Sequence, residues 1–195
     1  SPIPTADLSI KKLAAIEALA RKNKANAAML SSISIEPNLW PTSAVIDWIN
    51  ILRRMDDIPN REKQLQEAVQ IIRSRMNFHG TLMGFSTKKT DYLWWLMISS
   101  DVNANRAILT FLNDSRWNDD MPRMVRGSIE RQRRGTWDTT TANAWGILAM
   151  EKFSQKFEKI PVTGRTEAKI NNVAKALNWS SSPKGGVLGL GWPKA

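Results

Sequence analysis

Few side chains in this sequence could do chemistry. His79 is the sole histidine and stands in Phe78-His79-Gly80 with no carboxylate motif beside it. A general base needs a partner that tunes and orients it, so His79 reads as a structural or exposed residue. Asp119-Asp120 precedes Met121-Pro122. A metal or diphosphate site would need further acids at helical spacing, and Arg123 follows instead. The pair suits a helix start, where acids face the positive end and proline occupies the first turn. Asp91, Asp101, Asp138 and Glu151 could supply the two carboxylates that glycoside hydrolysis sets across a cleft. Asp91, Asp101 and Asp138, however, each stand where a helix should begin, and with Thr42 they are read as helix caps. Arg131-Gln132-Arg133-Arg134 lies at an expected helix C-terminus, where cations complement the dipole and the free carbonyls. Gly185-Gly186 and Gly189-x-Gly191 lack the following helix and the Lys-Ser/Thr of a phosphate loop. No catalytic, cofactor-binding or metal-ligating residue emerges, and the chain is expected not to be an enzyme.

The elements that would position these residues are helical. Thr42 or Ser43 should open a helix whose Val45, Trp48, Ile49, Leu52 and Met55 step by three and four. Leu65, Ala68, Val69, Ile72 and Met76 make the stripe of the next helix, and a short turn between the two predicts an antiparallel hairpin. Phe78 to Lys89 reads as a loop. A helix over about 91–99 is apolar almost all round and should be buried on several sides. Ala104, Ala107, Ile108, Phe111 and Leu112 line its partner, and a loop through Trp117 comes next. Met124, Val125 and Ile129 line a polar-rich helix. Trp145, Leu148, Ala149, Phe153 and Phe157 should be buried on the last helix, to about residue 158.

Two of these segments look like one unit used twice. Gly84-Phe85-Ser86-Thr87 leads through Thr90-Asp91 into Tyr92-Leu93-Trp94-Trp95-Leu96-Met97, and Gly135-Thr136-Trp137-Asp138 leads through Thr141 into Ala142-Asn143-Ala144-Trp145. The segments align without a gap, placing Gly84 on Gly135, Thr90 on Thr141 and Trp94 on Trp145. A glycine loop, a Thr/Asp cap and a helix opening on a tryptophan is a supersecondary unit that stacks into arrays. Trp48, Trp94, Trp95, Trp137 and Trp145 are the expected core anchors.

After Lys159 the character changes. Pro161, Gly164, Pro183, Gly185, Gly186, Gly189, Gly191 and Pro193 break any helical pattern, so 160–195 is expected to be short strands and turns, the truncated start of a β-rich domain. The expected boundary lies near 159, after an all-α arc of helical hairpins. An open arc should expose an apolar edge.

Composition narrows the function classes. The 195 residues carry no cysteine, which excludes disulfides, zinc–thiolate sites and cysteine nucleophiles within them. No apolar run reaches the roughly 18 residues of a membrane span. The start, Ser1-Pro2-Ile3-Pro4, lacks the basic and apolar regions of a signal peptide. The formal net charge is +10. It motivates a nucleic-acid-binding helical repeat as one alternative, but the charges are dispersed as on solvated helix faces, and no aromatics interleave the basic run for base stacking. A second alternative is an α/α-toroid enzyme acting on carbohydrate or isoprenoid, which would need paired carboxylates of perturbed pKa in a central cleft.

The tryptophan cassettes also carry a family resemblance. Leu93-Trp94-Trp95-Leu96-Met97 with Ser100-Asp101-Val102-Asn103-Ala104-Asn105-Arg106, and Arg131-Gln132-Arg133-Arg134-Gly135-Thr136-Trp137-Asp138-Thr139-Thr140 running into Ala142-Asn143-Ala144-Trp145, resemble the thioester-domain helices of bacterial α2-macroglobulin-like proteins. Pro161-Val162-Thr163-Gly164 and Leu190-Gly191-Trp192-Pro193 are similar to the start of the next β domain there. The resemblance implies an α/α toroid over 1–159 and a large periplasmic or membrane-anchored parent. That parent would inhibit endopeptidases by trapping them. The implied partners are target proteases and a penicillin-binding protein, with no small-molecule substrate and no cofactor. The Cys-x-Glu-Gln thioester element of many members is absent from this sequence, so the resemblance transfers no catalytic residue.

Overall fold

A computed structural model of the chain describes residues 5–85, 93–158, 161–183 and 185–191. Among them are six α-helices: α1 Thr5–Ala20, α2 Thr42–Arg54, α3 Arg61–Ser74, α4 Ser100–Phe111, α5 Met121–Glu130 and α6 Thr140–Phe157. Two antiparallel hairpins, β1 Met76–His79 with β2 Leu82–Phe85, and β3 Arg165–Ile170 with β4 Val173–Asn178, accompany the helices, with short 3₁₀ turns between them. The protein is mainly α with a short β part. It divides into two compact units, Ser1–Lys152 and Phe153–Ala195.

The first unit is organised around α2. The stripe Val45, Trp48, Ile49 and Leu52 is buried, and so is every other residue from Thr42 to Leu52. A helix buried all round needs neighbours on all sides, and α2 packs against α1, α3 and α4. α1 offers Ile10, Leu13, Ile16 and Ala20, spaced by three and four, to this core. α3 offers Leu65, Ala68, Val69 and Ile72. α5 packs on α4 and on β2. That last contact depends on Gly127, because a Cβ there would overlap the Met83 carbonyl.

Several segments differ from the sequence expectation. Part of the expected loop 78–89 is the β1–β2 hairpin, turned by Gly80 at φ +60° with His79 paired to Leu82. A two-residue turn of this kind needs positive φ, which glycine adopts freely. Of the expected helix over 91–99, the described residues 93–99 hold a 3₁₀ turn at Trp94–Leu96 followed by Met97 at φ +54°. The physical reason is Ser99, whose side chain accepts from the Val102 amide and starts α4. Fewer than ten residues then remain for a separate helix, below the length that offsets nucleation. Trp117, expected in a loop, is fully buried and stacks on Phe111 at 4.1 Å. Ile129 and Leu148 are exposed rather than buried.

In the second unit, β3 and β4 join through Asn171-Asn172, with Asn171 at φ +51° and Ile170 paired to Val173. Asparagine tolerates the left-handed region that this turn demands. Trp179 Nε1 donates to Thr166 Oγ1 at 2.8 Å. Residues 185–191 form no strand, contrary to expectation, and Val187 is almost wholly exposed.

Candidate functional site

The first unit contains an open groove of about 540 Å³ lined by α1, α2, α4, α6 and residues 96–98. Its walls are mostly apolar and its floor carries charge. Glu17 projects from α1 and Asp47 from α2, and both are buried. Glu17 accepts from Arg21 Nε with both carboxylate oxygens at 2.8 Å and pairs with Arg54 at 3.4 Å. Asp47 Oδ1 accepts from Arg106 of α4. The Arg21 and Arg106 guanidinium groups also lie 5.3 and 5.6 Å from the Trp145 ring centroid. Cations over an indole face are attracted by its quadrupole, so Trp145 ties α6 to α1 and α4.

Burial pushes the Asp47 carboxyl above its ordinary value, the Arg106 charge and hydrogen bond oppose that rise, and the Glu17 charge adds to it. A general acid–base pair would need two carboxyls free to exchange protons with a substrate. Glu17 is clamped through both oxygens and Asp47 is held by Arg106, so these two carboxylates do not form such a pair.

A second polar cluster joins the ends of three helices. Asp101, in the first turn of α4, accepts from Arg131 at the end of α5 and, through Oδ2, from the Asp138 amide at 3.1 Å. Asp138 Oδ1 accepts from Ser99 Oγ at 2.9 Å. Trp137 is buried beside them and donates from Nε1 to the Ser128 carbonyl at 2.9 Å, while Ser128 Oγ donates to Asn105. Asn105 in turn donates to the Ala142 carbonyl at 3.1 Å. Partial burial raises the Asp138 carboxyl above its ordinary value. The Ser99 hydrogen bond opposes this, and the Asp101 charge adds to it.

The anticipated residues fall into three groups. Trp48 and Trp137 are buried, and Trp145 is half-buried. Trp95 is half exposed at 50%, so it is no core anchor; it lies on the 3₁₀ turn where a longer helix was expected. Asp91 lies outside the described residues, as does the side chain of Trp94. Thr42, Asp101 and Asp138 do not cap. Pro41 precedes α2, and Thr42 is its buried first residue, facing Arg75 at 3.4 Å. Ser99 caps α4, and Thr139 Oγ1 accepts from the Ala142 amide at the start of α6. In each aspartate's case a neighbouring hydroxyl takes the cap. Asp101 is thereby left for a cross-helix ion pair, and Asp138 for the Ser99 hydroxyl.

Sequence reasoning missed Glu17, Asp47, Arg106 and Trp117. The only signal for Asp47 was a carboxylate inside the apolar run Ala44 to Leu52, a position that demands a buried partner. His79 lies on β1 and is exposed, and Asp120 pairs with Arg73 at 3.1 Å. No group of acids, histidines or cysteines among the described residues could hold a metal ion. No described helix is long and apolar enough to cross a membrane. No family model, curated protein or solved structure matches the chain.

Proposed function

We propose that this chain is a non-catalytic helical scaffold within a bacterial α2-macroglobulin-like endopeptidase inhibitor, a protein that traps proteases in the periplasm or cell envelope. In this reading the helices of residues 1–159 form part of an α/α toroid, and 160–195 open the adjoining β-rich domain. Target proteases are the partners, with a penicillin-binding protein as a second. Neither nucleic acid nor a small-molecule substrate belongs to it.

The observation that carries this reading is how arginines join the helices. Arg54 of α2 meets Glu17 of α1, Arg106 of α4 meets Asp47 of α2, and Arg131 at the end of α5 meets Asp101 of α4. Arg53 meets Asp114 at 3.0 Å, and Arg73 meets Asp120. Arginine suits such joints because its planar fork holds a carboxylate in fixed geometry. A partly buried pair fixes the register of the helices it joins while adding little net stability. These arginines thus supply joints between elements, which suits a scaffold.

The test uses the full-length parent incubated with a broad-specificity protease. A trap leaves activity on a small peptide substrate while abolishing it on a large protein, because the small substrate diffuses in. Equal activity on both substrates overturns the reading.

A further inference from the structure

We propose that the groove along α1 binds a slim amphiphile with one acidic head, a medium-chain carboxylate whose tail lies over the α1 alanines and whose head sits at Arg21 and Lys22. The lining sets four cations, Lys11, Arg21, Lys22 and Arg106, against two carboxylates, Glu17 and Asp47. Both carboxylates are buried and already held, Glu17 by Arg21 and Arg54, and Asp47 by Arg106. The cations are not matched in return. Lys11 and Lys22 are exposed and make no hydrogen bond or ion pair among the described residues. Arg21 commits only Nε to Glu17, and its terminal nitrogens make no hydrogen bond among the described residues. Arg106 Nε is buried without an acceptor. Arg21 and Arg106 also converge on one indole, that of Trp145. Like charges this close repel where solvent is scarce, and an anionic head at that end of the groove relieves the repulsion. The head need not touch the buried Arg106 nitrogen, because its charge acts over several ångströms.

Shape selects the rest of the ligand. Ile10, Ala14 and Ala18 of α1, with Ile98, Val102 and Trp145, provide apolar walls. The ten-residue step from Lys11 to Arg21 covers about 15 Å at the helical rise. The groove's 540 Å³ over that length gives a cross-section of about 35 Å². A peptide helix about 10 Å across needs about 80 Å², so an acidic helix is too wide and a single alkyl chain fits. The volume is in the range of pockets that enclose compact organic ligands, which pair apolar walls with a few polar groups that fix orientation. This inference concerns binding alone and stands apart from the protease-trap reading.

Calorimetric titration of the full chain with decanoate, 1-decanol and decyltrimethylammonium, each below its micelle threshold, tests it, since the three share a tail and differ in head charge. Decanoate binds about tenfold more tightly than either, the value of one charge-assisted contact. Its affinity falls as sodium chloride is raised. Butyrate, with the same head and a short tail, binds more weakly than decanoate. Lys22→Glu reverses an exposed charge, lowers decanoate affinity at least about threefold and narrows the preference over 1-decanol. Ala18→Phe, also at an exposed position, fills the groove from α1 and lowers decanoate affinity at least about tenfold. No detectable decanoate binding, equal or tighter binding of the alcohol or the ammonium, butyrate binding as tightly as decanoate, or unchanged decanoate affinity in either variant overturns the proposal. If Ala18→Phe does not fold, Lys22→Glu and the three heads still decide it.

Discussion

The two tryptophan cassettes look alike in sequence and fold differently. In the second, Gly135 and Arg134 take positive φ in a tight turn closed by the Arg133 and Thr136 backbones. Thr139 caps, and α6 then runs for 18 residues. In the first, Gly84 is a strand residue paired with Asn77, and the tryptophan pair falls on a single 3₁₀ turn. The cause lies on the C-terminal side of each cassette. After Trp145 the helix continues uninterrupted to Phe157, whereas after Trp95 the Ser99 hydroxyl captures the Val102 amide. A helix needs uninterrupted length to repay its nucleus, so a shared opening motif does not guarantee a shared element. The tryptophan environments differ accordingly. Trp137 is buried and hydrogen-bonded, while Trp95 is half in solvent.

Trp137→Ala should separate the cassettes most sharply, costing about 3–5 kcal/mol in urea-melt stability because it empties a packed site and removes the indole N–H bond to Ser128. Gly146→Ala should come next. A Cβ there would overlap the Trp137 ring, so repacking should cost about 1–3 kcal/mol although alanine is the better helix former. A neutral outcome would mean that Trp137 does not lean on α6.

The third prediction concerns pH. The folded Asp138 carboxyl titrates above its unfolded value, so the native state holds the proton more tightly. The stability this contributes is present at low pH and is lost as pH rises from the unfolded value through the folded one. Asp138→Asn should flatten that part of the stability–pH profile, and an unchanged profile would show that Asp101 and Arg131 dominate the junction. The smallest effect belongs to Trp95→Ala, at about 1 kcal/mol or less, because half of the side chain is already in water. A loss as large as that of Trp137→Ala would dissolve the contrast between the cassettes.

Much of the fold was legible because periodicity reports burial directly. The stripe on α2 and the Leu65 to Ile72 stripe on α3 needed only the 3.6-residue period. Capping was less legible. Ser99 and Asp101, or Asp138 and Thr139, are neighbouring residue types that all favour the cap position, and only the placed backbone shows which one accepts the amide. The hairpin at Met76–Phe85 was hidden because its strands are four residues each and a lone Gly80 marks the turn. The groove was illegible altogether. Glu17, Asp47, Arg106 and Trp145 are spread from position 17 to position 145, and no local spacing links them.

The sequence by itself determined the helical class, the apolar stripes, the absence of thiol chemistry and the change of character after Lys159. Each stems from composition or local period. Tertiary structure alone decided which carboxylates met arginines and which tryptophans left the solvent. Those outcomes depend on distances between elements, which packing sets and which no single stretch of chain encodes.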